Sequence, residues 1–325
     1  MLPKIIKGAL LLGIAVLLFL ASWFSLEFYL PVKSLQKEMF FEVEKGKKVE
    51  EIAQSLKENG IIKKKWPLLL GYKLFFSSKS IKAGEYRFLF PISSKEVLKI
   101  LIEGKAYLHP ITIPEGLTRR EIAEHLDALS FVNKEEFLKA SLDTQKISLL
   151  DKEAKNLEGY LFPETYYFPR GISAERIVEA MVFEFKKNFQ EEWKAKAREW
   201  GINVREVVIL ASLIEKETSI PEEKKLISAV FHNRLKRGMK LDCDPTIIYI
   251  LKEKGRFSGR LRTKDLRMDS PYNTYLYPGL PPGPICNPGR ESIEAALQPS
   301  EEAYLYFVSK NDGSHHFSYT LSEHL

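Results

Sequence analysis

The sequence is poor in cysteine and lacks the short motifs of several common enzyme classes. Of its 325 residues only Cys243 and Cys286 are cysteines, and neither has the CxxC or CxxH spacing of zinc and redox sites. HExxH, P-loop, GxSxG and dinucleotide-binding motifs are absent. His315 and His316 have no partners at metal-ligand spacing. We therefore expect no metal and no cofactor, and the two cysteines either pair or stay as buried thiols.

Low-complexity tracts are also missing, and 45% of the residues are hydrophobic, which is enough for one or two packed cores. The formal net charge is +6 and the pI about 9.0, but the basic residues are interleaved with acidic ones. Nucleic-acid binding needs a basic face on a docking motif, and the sequence has none. The charge fits ordinary solubility or an anionic membrane or polymer.

The first 30 residues have the pattern of a membrane anchor. Lys4 and Lys7 precede an apolar run from Gly8 to Leu26, which is followed by aromatic residues. About 20 apolar residues at 1.5 Å each cross a hydrocarbon core roughly 30 Å thick. Lysines before the run predict a cytoplasmic N-terminus and an exported remainder. A cleavable signal peptide is the alternative, but its apolar core is usually shorter, and no clean cleavage site precedes Glu27.

The exported part begins with a predicted β-α-α-β segment over residues 31–105. Alternating and helical apolar spacings predict its elements, in order, at Phe40–Val43, Val49–Leu56, Trp66–Phe76 and Tyr86–Phe90. Ser93 and Glu96 then form a capping box for another helix, which Gly104 ends.

Residues 106–155 repeat part of that segment. The apolar and glycine positions around Gly46 recur around Gly116, each shifted by 70 positions. This predicts a second strand, glycine turn and amphipathic helix, although chance similarity is an alternative because such patterns are common. Two copies are too few for a solenoid.

The rest of the chain, residues 156–325, mixes charged helices with turn-rich loops. One helix is predicted from about Ala174 to Trp200, and a second opens at the capping pair Asn203 and Glu206. Ser219 and Glu222 resemble the cap of a third helix. A loop-rich surface is expected to follow, at Asp244–Thr246, Tyr272–Tyr275 and Gly279–Pro284. The Tyr, Asn and Thr side chains of such loops suit sugar binding, but such loops also simply fill space.

Glu215 is the residue of this part to which we give most weight. It lies on the margin of an apolar stripe that includes Val208 and Ala211, whereas Glu217 is about 200° further around the helix. A carboxyl group in a partly apolar setting has a raised pKa, as a general acid near neutral pH requires. The alternative is a boundary glutamate paired with Lys or Arg.

Several segments together resemble the YceG-like family of endolytic murein transglycosylases, also called MltG. The matching stretches are 157–166, 209–218, 230–235, 238–239, 244–246, 272–275, 279–289 and 304–308, in family order along nearly the whole chain. The resemblance implies an α+β fold with an N-terminal transmembrane helix, a small LysM-like β-α-α-β module and a larger mixed catalytic domain.

The resemblance also implies the chemistry. Glu215 falls on the catalytic glutamate, and Asn273, Tyr275 and Thr246 are weaker predictions for holding sugars. A lytic transglycosylase cleaves the MurNAc–GlcNAc linkage with one acid/base, leaves a 1,6-anhydro end and so terminates strand elongation. The expected partners are glycan strands, the inner membrane and peptidoglycan synthases.

Two alternatives and two departures from the family accompany this interpretation. A muramidase needs a second carboxylate, for which Glu164, Glu217 and Asp244 are candidates. A non-catalytic wall-binding scaffold for synthases is the other alternative. The positions before Asp244 read Asp242-Cys243 where the family often has Gln-Thr or Gln-Ser, and the chain stops soon after His324, where relatives often continue.

Overall fold

A computed structural model describes residues 4–325, with side chains from residue 6. The fold is mixed α and β, and its contacts divide the chain into two compact units, Met1–His109 and Pro110–Leu325. The division into 1–30, 31–105, 106–155 and 156–325 stays a prediction. We describe the two units separately.

The N-terminal unit contains the predicted β-α-α-β order. Its elements are α1 (Lys4–Tyr29), β1 (Glu38–Val43), α2 (Val49–Glu58), α3 (Lys65–Phe75), β2 (Gly84–Leu89) and α4 (Ser94–Glu103). The two strands pair antiparallel, with Glu38 opposite Leu89 and Val43 opposite Gly84. Alternation along both strands and the apolar faces of the helices build one core. The element order is confirmed, and likeness to a LysM module stays a prediction.

Helix α1 has the length and composition of a membrane span. Residues 6–29 are apolar enough over 24 residues to cross a bilayer. At 1.5 Å per residue this stretch is about 36 Å long, against roughly 30 Å of hydrocarbon. The side chains of its most apolar window are all exposed, as expected for a helix that meets lipid.

The C-terminal unit is mostly helical and contains two small two-stranded sheets. Its helices are α5 (Arg119–Ala128), α6 (Lys134–Ala140), α7 (Ala174–Asn188), α8 (Glu191–Glu199), α9 (Val204–Glu217), α10 (Pro221–Lys236), α11 (Asp244–Glu253), α12 (Arg290–Leu297) and α13 (Leu321–His324). Strand β3 (His109–Thr112) pairs with β4 (Thr165–Phe168), and β5 (Tyr306–Ser309) pairs with β6 (His315–Ser318). One hydrophobic cluster runs from Ile111 to Leu297 and surrounds α9.

The internal repeat is a structural one. Helix α5 begins and ends 70 positions after α2, and each helix follows a strand and a glycine turn. Gly46 and Gly116 both have positive φ angles, 89° and 76°, which a glycine adopts at little cost. The repeated pattern therefore has the same order of strand, turn and helix, with a left-handed glycine in the turn of both copies.

Three local predictions were wrong. The helix expected over Ala174–Trp200 breaks between α7 and α8, because Phe189 turns inward and stacks between Phe185 and Trp193. Asp244-Pro245-Thr246, expected in a loop, opens α11, where a proline in the first turn loses no helical hydrogen bond.

The third wrong prediction is the cap of α10. The N-cap residue is Ile220, and its N–H donates to the Thr218 hydroxyl at 3.1 Å. Ser219 therefore does not cap the helix, which has no side-chain capping hydrogen bond, and the Thr218 hydroxyl instead fixes the backbone of the N-cap residue.

A substitution of the N-cap residue Asn203 tests the capping of α9. Its side chain accepts the Glu206 N–H at 3.0 Å, while Glu206 accepts the Asn203 N–H at 2.8 Å. We expect Asn203→Ala to lower the free energy of unfolding by about 1 kcal/mol, since the N-cap acceptor is lost. Asn203→Asp keeps the acceptor and is the matched control. The free energy of unfolding of both variants is measured by urea unfolding of the full chain in detergent, monitored by tryptophan fluorescence. Equal losses in the two variants would contradict the capping role.

Candidate active site

Helix α9 ends with two carboxylates that face different surroundings. Val207 to Ile214 are buried, so the helix runs through the core of the C-terminal unit. Glu215 and Glu217 are two residues apart in its last turn, about 200° around the axis. The two side chains therefore have different neighbours.

Glu215 is tied to neighbouring helices. Its Oε2 accepts hydrogen bonds from the Ser292 hydroxyl at 2.6 Å and from the Gly289 N–H at 3.0 Å. The ammonium of Lys224 lies 3.6 Å from the same oxygen, and the Glu215 side chain is 9% exposed. Such donors suit a carboxylate ion. These contacts favour the alternative interpretation of Glu215, a boundary glutamate paired with a lysine.

Lys224 gathers three carboxylates into what we call the Lys224 cluster (Lys224, Glu115, Glu215 and Glu291). Besides Glu215, its ammonium lies 3.8 Å from Glu115 Oε2 and 3.6 Å from Glu291 Oε2. Burial, followed by the charge of Glu215, raises the pKa of Glu115. The Glu115 carboxyl group also fills the space that a β-carbon at Gly289 would take. The cluster joins α9, α10, α12 and the turn before α5.

Glu217 faces a cavity of about 630 Å³, which we call the Glu217 cavity. Its lining combines acidic, basic and aromatic side chains: Glu217, Arg234, Leu241, Asp242, Asp244, Tyr275, Tyr306, Phe307, Val308, Ser309, His315, Leu321 and His324. Several lining residues are exposed, among them Asp242 and Asp244, so the cavity opens to solvent. Glu215 does not belong to this lining.

The surroundings of Glu217 give it the property that a general acid needs. Desolvation raises its pKa to about 7, and the charge of Asp244 acts in the same direction. The hydrogen bond of the Cys243 thiol and the electrostatic influence of His315 and Arg234 oppose this rise in pKa. A carboxyl group with this pKa is substantially protonated at neutral pH and can also hold its proton loosely enough to give it up.

Arg234 fixes one wall of the cavity. Its guanidinium donates to the carbonyl oxygens of Leu305 at 2.7 Å and Leu241 at 2.9 Å, and to Asp242 Oδ2 at 3.1 Å. It also lies over the Tyr306 ring, 5.1 Å from the centroid. One buried cation therefore joins α10, the loop before α11 and strand β5.

His315 is oriented by Glu223. The Nδ1 atom of His315 lies 2.6 Å from Glu223 Oε2, and its backbone N–H donates to Glu223 Oε1 at 2.8 Å. Although burial raises the pKa of Glu223, its hydrogen bonds with His315 lower it below the ordinary value overall. The imidazole is thus held in a single orientation at the cavity wall.

Of the three predicted sugar-binding residues, one lines the cavity and two are buried. The Tyr275 hydroxyl donates to Asp244 Oδ1 at 2.6 Å, and both residues belong to the lining. Asn273 bridges its own loop, donating to Met268 O at 2.7 Å and Leu266 O at 3.0 Å. Thr246 donates to Cys243 O at 2.7 Å. Asn273 and Thr246 therefore shape the loops beside the cavity, and contact of any of the three with sugar stays a prediction.

The candidate second carboxylates fall in different places. Asp244 lines the Glu217 cavity together with Glu217. Glu164 is exposed, and its side chain accepts its neighbour's N–H, that of Thr165, at 2.8 Å.

The comparisons with known proteins agree with this architecture. A sequence model of the YceG-like family matches residues 41–325. The chain belongs to the YceG-like family. A crystal structure of a yceG-like protein from Listeria monocytogenes is 33% identical, with a TM-score of 0.59, covering 89% of this chain and 98% of that one.

Two relatives have functional names. An endolytic murein transglycosylase of Bacillus subtilis is 36% identical over 301 residues, 86% of this YceG-like chain and 81% of the relative. An endolytic murein transglycosylase of Streptococcus pneumoniae is 30% identical over 313 residues, which are 87% of this chain but 56% of the relative. This chain therefore spans little more than half the length of the pneumococcal protein.

Sequence reasoning missed several residues that line the cavity in this YceG-like chain. Arg234 and Tyr306 lie within matched family stretches, but nothing in their spacing relates them to Glu217. His315 was interpreted as structural, and its contact with Glu223 spans 92 positions. A sequence signal for these contacts would have to be long-range, because α10, β5 and β6 meet only in the folded unit.

Cys243 and Cys286 are free, buried thiols, which is one of the two alternatives that the sequence left open. Burial raises the pKa of Cys243 and of Cys286 well above the ordinary range, so neither is a reactive thiolate. From Lys4 onward, where the structure describes the chain, no three His, Cys, Asp or Glu side chains are placed to hold a metal ion.

The Lys224 cluster predicts a pH-dependent stability effect of Glu115. Since the fold raises the Glu115 pKa above its ordinary value of 4.5, the charged form costs stability at neutral pH. We expect Glu115→Gln to raise the urea midpoint at pH 7, and this gain to vanish as the pH falls below 4.5. Glu164→Gln, outside the cluster, is the control. A midpoint at pH 7 that is lowered by Glu115→Gln would contradict the prediction.

Proposed function

We propose that this YceG-like protein is a lytic transglycosylase that cuts peptidoglycan glycan strands at internal MurNAc–GlcNAc linkages. The Bacillus subtilis and Streptococcus pneumoniae relatives are endolytic murein transglycosylases, which supports the reaction class. The observation that carries the proposal is the carboxyl group of Glu217, whose pKa is about 7, on a cavity that opens to solvent.

We assign the acid/base role to Glu217. As the MurNAc C1–oxygen bond breaks, the Glu217 carboxyl group gives its proton to the glycosidic oxygen, which leaves as the GlcNAc 4-hydroxyl. The resulting carboxylate takes the proton of the MurNAc 6-hydroxyl while that oxygen bonds to C1. The product is a 1,6-anhydro end, no water is consumed, and Glu217 is again protonated.

Glu215 is the competing assignment, since the family resemblance suggested it. Against it stand its hydrogen bonds to Ser292 and Gly289 and its ion pair with Lys224, which would have to break before it could act. Glu217 has no comparable set of strong donors; the contact that lowers its pKa most is the hydrogen bond of the Cys243 thiol, a weak donor.

The cavity wall supplies groups that suit a sugar chain. Tyr275 offers a flat face for a pyranose ring, and Asp242 and Asp244 offer acceptors for hydroxyl groups. Asn273 and Thr246 act behind this surface by holding the loops. His315 is a fixed imidazole beside the scissile position.

A muramidase is the second candidate function, and one observation favours it. Asp244 shares the Glu217 cavity, so a carboxylate is available as nucleophile or base beside the acid. Against this role, Asp244 already accepts the Tyr275 hydroxyl at 2.6 Å. The chemical nature of the product distinguishes the two reactions.

The proposal includes the location of the enzyme. Helix α1 can cross a membrane, and Lys4 and Lys7 before it favour a cytoplasmic N-terminus by the positive-inside rule. The C-terminal unit would then act outside the cytoplasmic membrane, where glycan strands and their synthases are. The remainder of the N-terminal unit would serve as a LysM-like module.

The two glutamates give the decisive functional test. Purified peptidoglycan is digested with the full chain in detergent, and the products are analysed by mass spectrometry. We expect Glu217→Gln to reduce cleavage by about 10²- to 10⁴-fold, because the amide cannot donate the proton. Glu215→Gln should keep most of the activity. The wild-type product should be one water lighter than a hydrolysed end.

Glu164→Gln is the matched control, since the Glu164 side chain is exposed and accepts the N–H of its neighbour Thr165. Loss of cleavage in Glu215→Gln with activity retained in Glu217→Gln would transfer the acid/base role to Glu215. Hydrolysed ends would favour the muramidase. Unchanged cleavage in both variants would remove the acid/base role from both glutamates, and absence of cleavage by the unsubstituted protein would favour the non-catalytic scaffold.

A further inference from the structure

Helix α3 carries an exposed apolar stripe. Trp66, Leu70 and Leu74 follow one another at four-residue spacing, so they lie on one face of the helix. Leu74 is 59% exposed and the adjoining Phe75 55%. We call Trp66, Leu70 and Leu74 the α3 face; Phe75, nine residues after Trp66, lies on the other side of the helix. Large apolar side chains in such a group usually mark a surface that meets a partner or a membrane.

The α3 face lies beside the C-terminal part of α1. The ring centroids of Trp23 and Trp66 are 5.2 Å apart, and those of Phe28 and Phe75 are 6.0 Å apart. Gly71 packs directly on the Phe28 ring, where an added β-carbon would lie 2.6 Å from Phe28 Cζ. Trp66 therefore lies at the level of Trp23, and Phe75 at the level of Phe28.

The length of α1 determines where that level falls relative to a bilayer. From Ile6 the helix rises about 26 Å to Trp23 and about 33 Å to Phe28, so the outer boundary of a hydrocarbon core roughly 30 Å thick falls between these two residues. Trp66, at the level of Trp23, and Phe75, at the level of Phe28, therefore lie on either side of this boundary, each within about one helical turn of it. Tryptophan is enriched at this depth because its ring is apolar and its N–H is polar.

The charge around α3 matches an anionic lipid surface. The segment 60–84 contains six lysines and no acidic residue. At the start of α3, the Lys64 ammonium lies 2.5 Å from Glu27 Oε1 and 5.9 Å from the centroid of the Trp23 ring. A basic helix with an apolar face has the pattern of an interfacial helix.

We propose that α3 lies in the outer interface of the same bilayer that α1 crosses, with the α3 face against the acyl-chain boundary and its lysines toward lipid phosphates. The inference rests on the proposed function in one respect, namely that α1 is a membrane span. Two attachments, one spanning and one interfacial, hold the N-terminal unit in a fixed orientation to the membrane, so this unit cannot swing freely on α1.

Spin labels on the full chain test the proposal. Single cysteines replace Leu74, Leu17 in α1 and Lys45 in the turn after β1, and each variant is labelled with a nitroxide in liposomes of phosphatidylcholine and phosphatidylglycerol. Collision rates with oxygen, which enters lipid, and with a water-soluble nickel chelate report depth. Because Cys243 and Cys286 are buried, unsubstituted protein gives the labelling background.

We expect the oxygen-to-nickel ratio to be severalfold higher at Leu74→Cys than at Lys45→Cys, and highest at Leu17→Cys. Omitting phosphatidylglycerol should lower the ratio at position 74 and leave position 17 unchanged. Equal ratios at positions 74 and 45, with position 17 buried in lipid, would overturn the inference and leave the anchor intact. A water-exposed label at position 17 would overturn the anchor and the inference together.

Discussion

The account depends on desolvation of one carboxyl group at the end of α9. A buried helix delivers Glu217 to the wall of a cavity, where loss of hydration disfavours its charge, and nearby positive groups limit the effect. With less burial the proton would be lost at neutral pH, and with no compensating charges it would be held too tightly. A pKa near 7 results from the balance between desolvation of the carboxyl group and the opposing effects of the Cys243 thiol, His315 and Arg234.

The last turn of α9 also separates the anchoring contacts from the proposed chemistry. A catalytic carboxyl group has to be held in place without being neutralised by a strong donor. Glu215 accepts the donors that anchor the turn, from Ser292, Gly289 and Lys224, so the anchoring contacts and the proposed chemistry fall on different residues. Around the cavity, the hydrogen bonds of Arg234 and the His315–Glu223 pair hold strand β5 and strand β6 against α10.

Local patterns in the sequence predicted much of the fold. Patterns among residues a few positions apart predicted the capping boxes at Ser93 and Asn203. They also predicted the strand order of the N-terminal unit and each copy of the 70-position repeat. The break at Phe189 was missed because it depends on burial of one ring in the core. Helical spacing showed that the two glutamates face different ways. Only the tertiary contacts with α10 and α12 show which of them is held by hydrogen bonds and an ion pair.

A direct titration of the carboxyl groups tests the central claim. Infrared difference spectra of the full chain, recorded against pH, follow each carboxyl group as it loses its proton. We expect the difference between wild type and Glu217→Gln to contain one group that titrates near pH 7, and the difference between wild type and Glu215→Gln to lack it. A group near pH 7 that persists in Glu217→Gln and disappears in Glu215→Gln would contradict the account.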